Sequence, residues 1–269
     1  MIKRLLIPFF LLLSTWVIAQ TDRSFAFQRS VPGNFSDFTV DNLGNLYLVN
    51  QNGQLKKYSP AGDSMAVFNN LRRYGKLHSV DISNPLKLLL YYRDFQTVVI
   101  LDRLLNTRST VDLRRAGLYQ VKAVAQSYDN NIWVYDEQES KLKKVGDDGH
   151  ILDQTTDFRL LFDSVPSPAY IIDQNKQLYL YDTGKGVYIF DYYGAFRKRI
   201  QFTGWTDFAV INQTILGRDS KYLYRYEPGT LDLKQFALPA FMLAAKKIVL
   251  GATALYILDE TGIKVYAYP

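Results

Sequence analysis

The chain of 269 residues contains no cysteine. That absence excludes disulfide staples, thiolate nucleophiles and cysteine-ligated zinc. It also excludes a lipid anchor on an N-terminal cysteine. Histidine is nearly as scarce, with only His78 and His150. Helical patterning is missing: no long stretch places apolar residues at 3.6-residue spacing. No later segment approaches the roughly 20 apolar residues that a spanning helix needs. A dense basic stripe is missing as well. The net charge is +6, too mild for a nucleic-acid binder but enough to attract anionic glycans, lipid headgroups or acidic partner surfaces.

The chain opens with a recognisable leader. Lys3 and Arg4 precede an unbroken apolar run from Leu5 to Leu13, and Ser14 to Ala19 lead into Gln20. A basic start, a short apolar core and small or β-branched residues before the cut are the marks of a secretory signal peptide. The alternative, a retained anchor, needs a longer apolar run. The expectation is a signal peptide over 1–19 and one mature domain over 20–269, carrying a net charge of about +4 once Lys3 and Arg4 are lost. Export without cysteine fits a bacterial envelope protein, periplasmic, outer-membrane-associated or extracellular, better than a eukaryotic secreted one. The N-x-S/T triplets at Asn34 and Asn212 read as chance matches there.

What is abundant is aromatic: 20 Tyr and 16 Phe, suited to strands packed on both faces. Short apolar runs alternate with turn signals such as Gly44-Asn45, Asn52-Gly53, Asp148-Gly149 and Thr261-Gly262. The most apolar run of each group ends on a polar residue, at 50, 93, 136, 182, 219 and 259. The steps are 43, 43, 46, 37 and 40, a period near 42 that matches a four-stranded propeller blade. The second copy is the weakest, disturbed by Pro85 and Leu86. The sixth stops after its third strand, while Ser24–Gln28 stands alone before the first. Placing that segment as the outer strand of the last blade closes the ring and removes an open edge. The predicted fold is all-β: a six-bladed β-propeller of four-stranded blades, closed by its N-terminal strand. Trp133 and the Tyr- and Leu-rich runs are then packing between blades.

Asp41 to Val49 (D-x-x-G-N-L-Y-L-V), followed by Gly53 to Asp63 (G-Q-L-K-K-Y-S-P-A-G-D), resembles the repeats of six-bladed propellers of the NHL and YWTD-like type. The resemblance spans the mature chain and implies the fold. That group includes binding scaffolds and some metal-dependent hydrolases and lyases, so it does not select a function. A more distant likeness is to the propeller subunit of the outer-membrane β-barrel assembly machinery. That subunit is an eight-bladed lipoprotein, and this chain departs from it in blade number and in lacking cysteine.

No catalytic set is legible, and no cofactor or metal is expected. There is no G-x-S-x-G elbow. His78 opens the first strand of the second blade and His150 sits in an outer turn of the third, so the two do not meet. Asp147-Asp148-Gly149 lacks calcium-loop spacing. Asp136, Asp182, Asp219 and Asp259 end the second strands, where they would cap turns or, alternatively, ring the channel. One pair stands out: Leu71-Arg72-Arg73-Tyr74-Gly75 and Leu113-Arg114-Arg115-Ala116-Gly117, 42 residues apart. Both fall in connectors from the outer strand of one blade to the inner strand of the next. Arg72, Arg73, Arg114 and Arg115, with Tyr74 and Lys76, would form a basic patch on one face, set against the alternative of ordinary solvated loop charge. Trp205 occupies the connector before the fifth blade, as a partner anchor or a plug of the channel mouth. The expected function is a non-catalytic scaffold binding an envelope protein or an anionic glycan. The alternative is an acid- or metal-dependent hydrolase or lyase with its site in the channel.

Overall fold

A computed structural model describes residues 25–69 and 71–268, with 71 and 72 described by their backbone alone. The segment 1–19, expected from the sequence to be a signal peptide, and Ser24 lie outside the described residues. The rest forms six four-stranded antiparallel sheets. Blades 1 to 5 each run in sequence order from the channel outwards. Their inner strands are Phe35–Val40, Ser79–Asp81, Val121–Gln126, Tyr170–Gln174 and Thr206–Ile211. Blade 6 is Lys247–Leu250, Ala254–Asp259 and Gly262–Ala267, with Ala26–Pro32 as its outer strand.

The second and third strands of each blade explain the apolar runs. Leu88–Tyr92, Thr97–Leu101 and Ile132–Asp136 are buried at every position. Side chains alternate between faces, and each face meets a different neighbouring blade. Tyr47 and Val49 pack toward blade 2, while Leu46 and Leu48 pack toward blade 6. Six such clusters fill the six interfaces of the ring. Trp133 lies between blades 3 and 4, 1 % exposed, its indole N–H donating to Asp173 at 2.9 Å.

The closing strand is longer than the sequence suggests, running on through Arg29 and Ser30 to Pro32. Ala26 pairs with Ala267 and Pro32 with Gly262, with a bulge between Phe27 and Arg29. Polar residues and a terminal proline are weak strand formers. On an edge strand, however, outward polar side chains are solvated and a missing N–H at the strand end costs little.

Closure depends on one glycine. Gly262 has φ +135°, and a Cβ there would stand 2.3 Å from the Val31 carbonyl oxygen. Gly262→Ala therefore forces the closing strand away or strains the backbone, at a cost on the order of 1–3 kcal/mol. The urea midpoint should fall. The control Gly229→Ala, whose Cβ would meet nothing within 4 Å, should leave it in place.

Candidate functional site

The inner strands enclose a channel cavity of about 1130 Å³ to which all six blades contribute. Its carboxylates mostly join blades. Asp81 accepts the Gln126 N–H at 2.7 Å and Asp207 the Ile248 N–H at 2.8 Å, each from the next blade. Asp173 accepts from Tyr128 N–H and Trp133 of blade 3, and Asp37 from the Lys247 ammonium of blade 6 at 2.6 Å. Asp207 also holds the Arg218 guanidinium. Inner strands have one unpaired edge, and these aspartates satisfy part of it.

The strand-end acids cap turns. Asp136 accepts the Gln138 N–H, Asp182 that of Gly184, Asp219 that of Lys221 and Asp259 that of Thr261, at 2.7–3.1 Å. Asn50 does the same for Gln54. Only blade 2 differs, because Arg93 stands at that place. Its chain turns through Arg93–Phe95, closing on Gln96 with φ 50°.

Both arginine connectors converge on that turn. Leu71–Tyr74 is one helical turn and Leu113–Gly117 a pair of tight turns; each ends in a glycine with φ +78°. Arg114 Nη2 donates to the Asp94 carbonyl at 2.6 Å. Gly75 packs under Phe95, so closely that a Cβ would meet that ring at 2.9 Å. Phe95, Arg73, Lys76, Arg114 and Arg115 are exposed. Arg115 is held only loosely, 3.4 Å from Asp112. The Arg72 side chain is outside the described part.

Two residues expected on the same face are buried. Tyr74 is 5 % exposed, packed 5.2 Å from the Tyr92 ring with its hydroxyl 3.3 Å from that of Thr110. Trp205 is also 5 % exposed, stacked between Phe202 at 4.4 Å and Tyr224 at 4.9 Å, with an edge on the channel. Gly217 leaves room for that indole. Large aromatics in connectors bury themselves when a neighbouring strand offers a gap. What they contribute is a rigid base for the face.

Sequence reasoning missed the channel wall beside these connectors. His78, Arg93 and Lys122 line the cavity together, and Arg93 Nη2 donates to the Lys122 carbonyl at 2.5 Å. His78 keeps contact with channel solvent. Even so, partial withdrawal from water, with Arg93, Lys122 and Lys76 nearby, pushes its pKa down to about 4, against the opposing pull of Asp94. The available signal was Arg93 itself, a cation where four copies of the repeat have aspartate. His150 is exposed in the turn between the third and fourth strands of blade 3. Among the described residues, no three His, Asp or Glu side chains converge as a metal-binding group.

The capping role of Asp259 has a pH signature. Burial works against its charged form, but the Lys264 ammonium and the Thr261 hydroxyl and N–H prevail and hold its pKa at about 2. The unfolded value is about 3.9. A depressed pKa stabilises the fold above the unfolded value, and that stability is lost as pH falls through about 2. Asp259→Ala should therefore lower the melting temperature at pH 7, and its deficit against the parent should shrink as melts are taken down toward pH 2.

No family model matches the chain, and no curated protein matches it. Solved structures do match its fold. A catalytically inactive virginiamycin B lyase from Staphylococcus aureus, solved with quinupristin, is 13% identical, with 91% of this chain and 89% of that chain covered and a TM-score of 0.61. The Pan2 WD40 domain of Neurospora crassa is 14% identical over 92% and 86%, with a TM-score of 0.59. BamB from Moraxella catarrhalis is 13% identical over 86% and 82%, with a TM-score of 0.50. At such identities only architecture is shared. The chain is a six-bladed β-propeller, and its likeness to NHL and YWTD-like repeats holds at the level of the fold.

Proposed function

We propose that this protein is a non-catalytic interaction scaffold of the bacterial cell envelope, binding an acidic surface of an envelope protein through the connector face of blades 2 and 3. The observation that carries the reading is the convergence of two arginine connectors on the Arg93–Phe95 turn, where exposed Phe95 sits amid Arg73, Lys76, Arg114 and Arg115. An apolar ring surrounded by guanidinium forks gives a docking surface both an anchor and a charge pattern. The rigid ring beneath keeps that surface preorganised, which lowers the cost of binding. Propellers such as BamB and the Pan2 WD40 domain share the architecture and fit a scaffold role. Export rests on the leader-like start of the sequence. No helix among the described residues is long and apolar enough to cross a membrane.

A second reading, a hydrolase or lyase centred in the channel, draws on the cavity and on the fold of virginiamycin B lyase. Asp81 and Asp207 favour the first reading, since both already accept hydrogen bonds between blades. A general acid or base needs a carboxyl free to exchange its proton with a substrate.

The test is charge reversal in the native envelope. Arg73→Glu, Arg114→Glu and Arg115→Glu combined should cut the yield of the chief cross-linked partner by roughly tenfold or more, since like charges across an interface cost several kcal/mol. Phe95→Ser alone should weaken it less. An unchanged cross-linking pattern in a variant that melts like the parent removes this reading.

A further inference from the structure

The geometry points to an anion subsite at the connector-side mouth of the channel, where Arg93, Lys122 and His78 receive a carboxylate or phosphate group of a ligand held in the cavity. This goes beyond the docking face and stands whether or not a protein docks there.

The first observation is the state of Arg93. Its guanidinium is fixed by one edge, through Nη2 to the Lys122 carbonyl. Its Nε is buried and has no hydrogen-bond acceptor among the described residues. A buried donor without a partner leaves its lost hydration uncompensated. No carboxylate among the described residues forms an ion pair with this arginine. Asp94 is exposed, and Glu137 accepts the Ser167 hydroxyl at 2.6 Å.

The second observation is the company Arg93 keeps. Lys122 reaches Glu137 only at 3.8 Å, the longest ion pair among the described residues. His78 stands beside them on the same wall, its ring edge-on to Tyr91 at 5.8 Å. The groups facing it are Arg93, Lys122 and Lys76 on the cationic side and Asp94 on the anionic side. The pKa of His78 is depressed first by its partial burial and then by these cations, against the opposing pull of Asp94. Outside the mouth, Arg73, Arg114 and Arg115 extend that field over the rim and would steer an anion inward. The cavity, about 1130 Å³, has room for a ligand well beyond the anionic group itself.

The arrangement suits a planar or tetrahedral oxyanion. One oxygen would take an Arg93 Nη–H that the Lys122 carbonyl leaves unused, the Lys122 ammonium would supply a second donor, and His78 a third. Anion binding places negative charge beside His78 and so raises its pKa. Protonation and anion binding then favour one another, and affinity rises as pH falls toward 5.

The two histidines make the test clean, because exposed His150 serves as an internal control. The full mature chain is titrated with sodium succinate or sodium phosphate, followed by the imidazole resonances, against sodium chloride at matched ionic strength. The expected result is a saturable shift of His78 alone, with its pKa raised by about a unit at saturation. Whichever salt saturates lower identifies the group as carboxylate or phosphate. Arg93→Gln should weaken binding by about tenfold or more, the scale of a lost charge-assisted hydrogen bond. Lys122→Gln, on a partly exposed side chain, carries the same expectation should Arg93→Gln fail to fold. The proposal is overturned if neither salt saturates, if His78 and His150 shift in parallel, or if both variants bind like the parent. The last result would mean an adventitious ion only. Because the readout uses no partner protein, its failure is separate from failure of the docking face.

Discussion

The pairing of Ala26–Pro32 on Gly262–Ala267 is the constraint on which the rest of the molecule depends. Each blade interface is a two-sided affair, with alternate residues of one strand serving two neighbours. An open array would leave two apolar blade faces in water and turn the third strand of blade 6 into an edge. Closure brings Phe38, Leu46 and Leu48 of blade 1 against Ala254, Tyr256 and Leu258 of blade 6. It also brings Asp37 to Lys247. The entropy lost in joining such distant segments grows only as the logarithm of the intervening length. The area buried along the whole seam can therefore outweigh it. The seam is non-local, so it belongs to the late, slow part of folding.

Closure creates the channel, and the channel creates an electrostatic problem. Six inner strands turn one unpaired edge toward a common axis. The protein answers it with acids: Asp81, Asp173 and Asp207 each accept a backbone N–H from an adjoining blade. Those carboxylates are part of the ring's stitching, each through at least one oxygen. On the wall of blades 2 and 3, which Asp81 also stitches, cations are added to the pattern. Arg93 arrives there without an ion-pairing acid and Lys122 reaches only Glu137, at 3.8 Å, while the arginine connectors thicken the positive field at the rim. The asymmetry of the channel is thus one of unanswered cations on a single wall, in a ring that is otherwise close to sixfold.

The fold was legible because its physics repeats. Period, blade number and closure all follow from strands that must be apolar on both faces, and from a leftover segment that needs an edge. The capping role of the strand-end aspartates was legible for the same reason, since an Asx-type cap depends on its next few residues. The candidate face was only half legible. The twin L-R-R-x-G connectors announced themselves as a near repeat, but Tyr74 and Trp205 did not declare their burial. Whether an aromatic in a connector lies in or out depends on the gap left by another strand of the blade, such as the one at Gly217 beneath Trp205. The channel wall was not legible at all. His78, Arg93 and Lys122 come from two different blades, and their meeting is set by tertiary geometry that no local spacing encodes.

In a repeat protein, departures from the repeat carry more information than the repeat itself. Blade 2 has the shortest inner strand, three residues at Ser79–Asp81, preceded by His78 and followed by the turn around Pro85. It alone replaces the strand-end cap with arginine, and it alone follows its second strand with a 3-10 turn that ends on a left-handed glutamine. Each of these changes gives up a local stabilising device that the other blades retain. Packing does not require them, since Leu88–Tyr92 and Thr97–Leu101 are as fully buried as their counterparts. They share one consequence: they bring Arg93, His78, Phe95 and both arginine connectors to one place at the mouth of the channel. A regular blade with an aspartate at position 93 would have capped its own turn and left the mouth without its buried fork. The irregularity of blade 2 is therefore the structural source of the site.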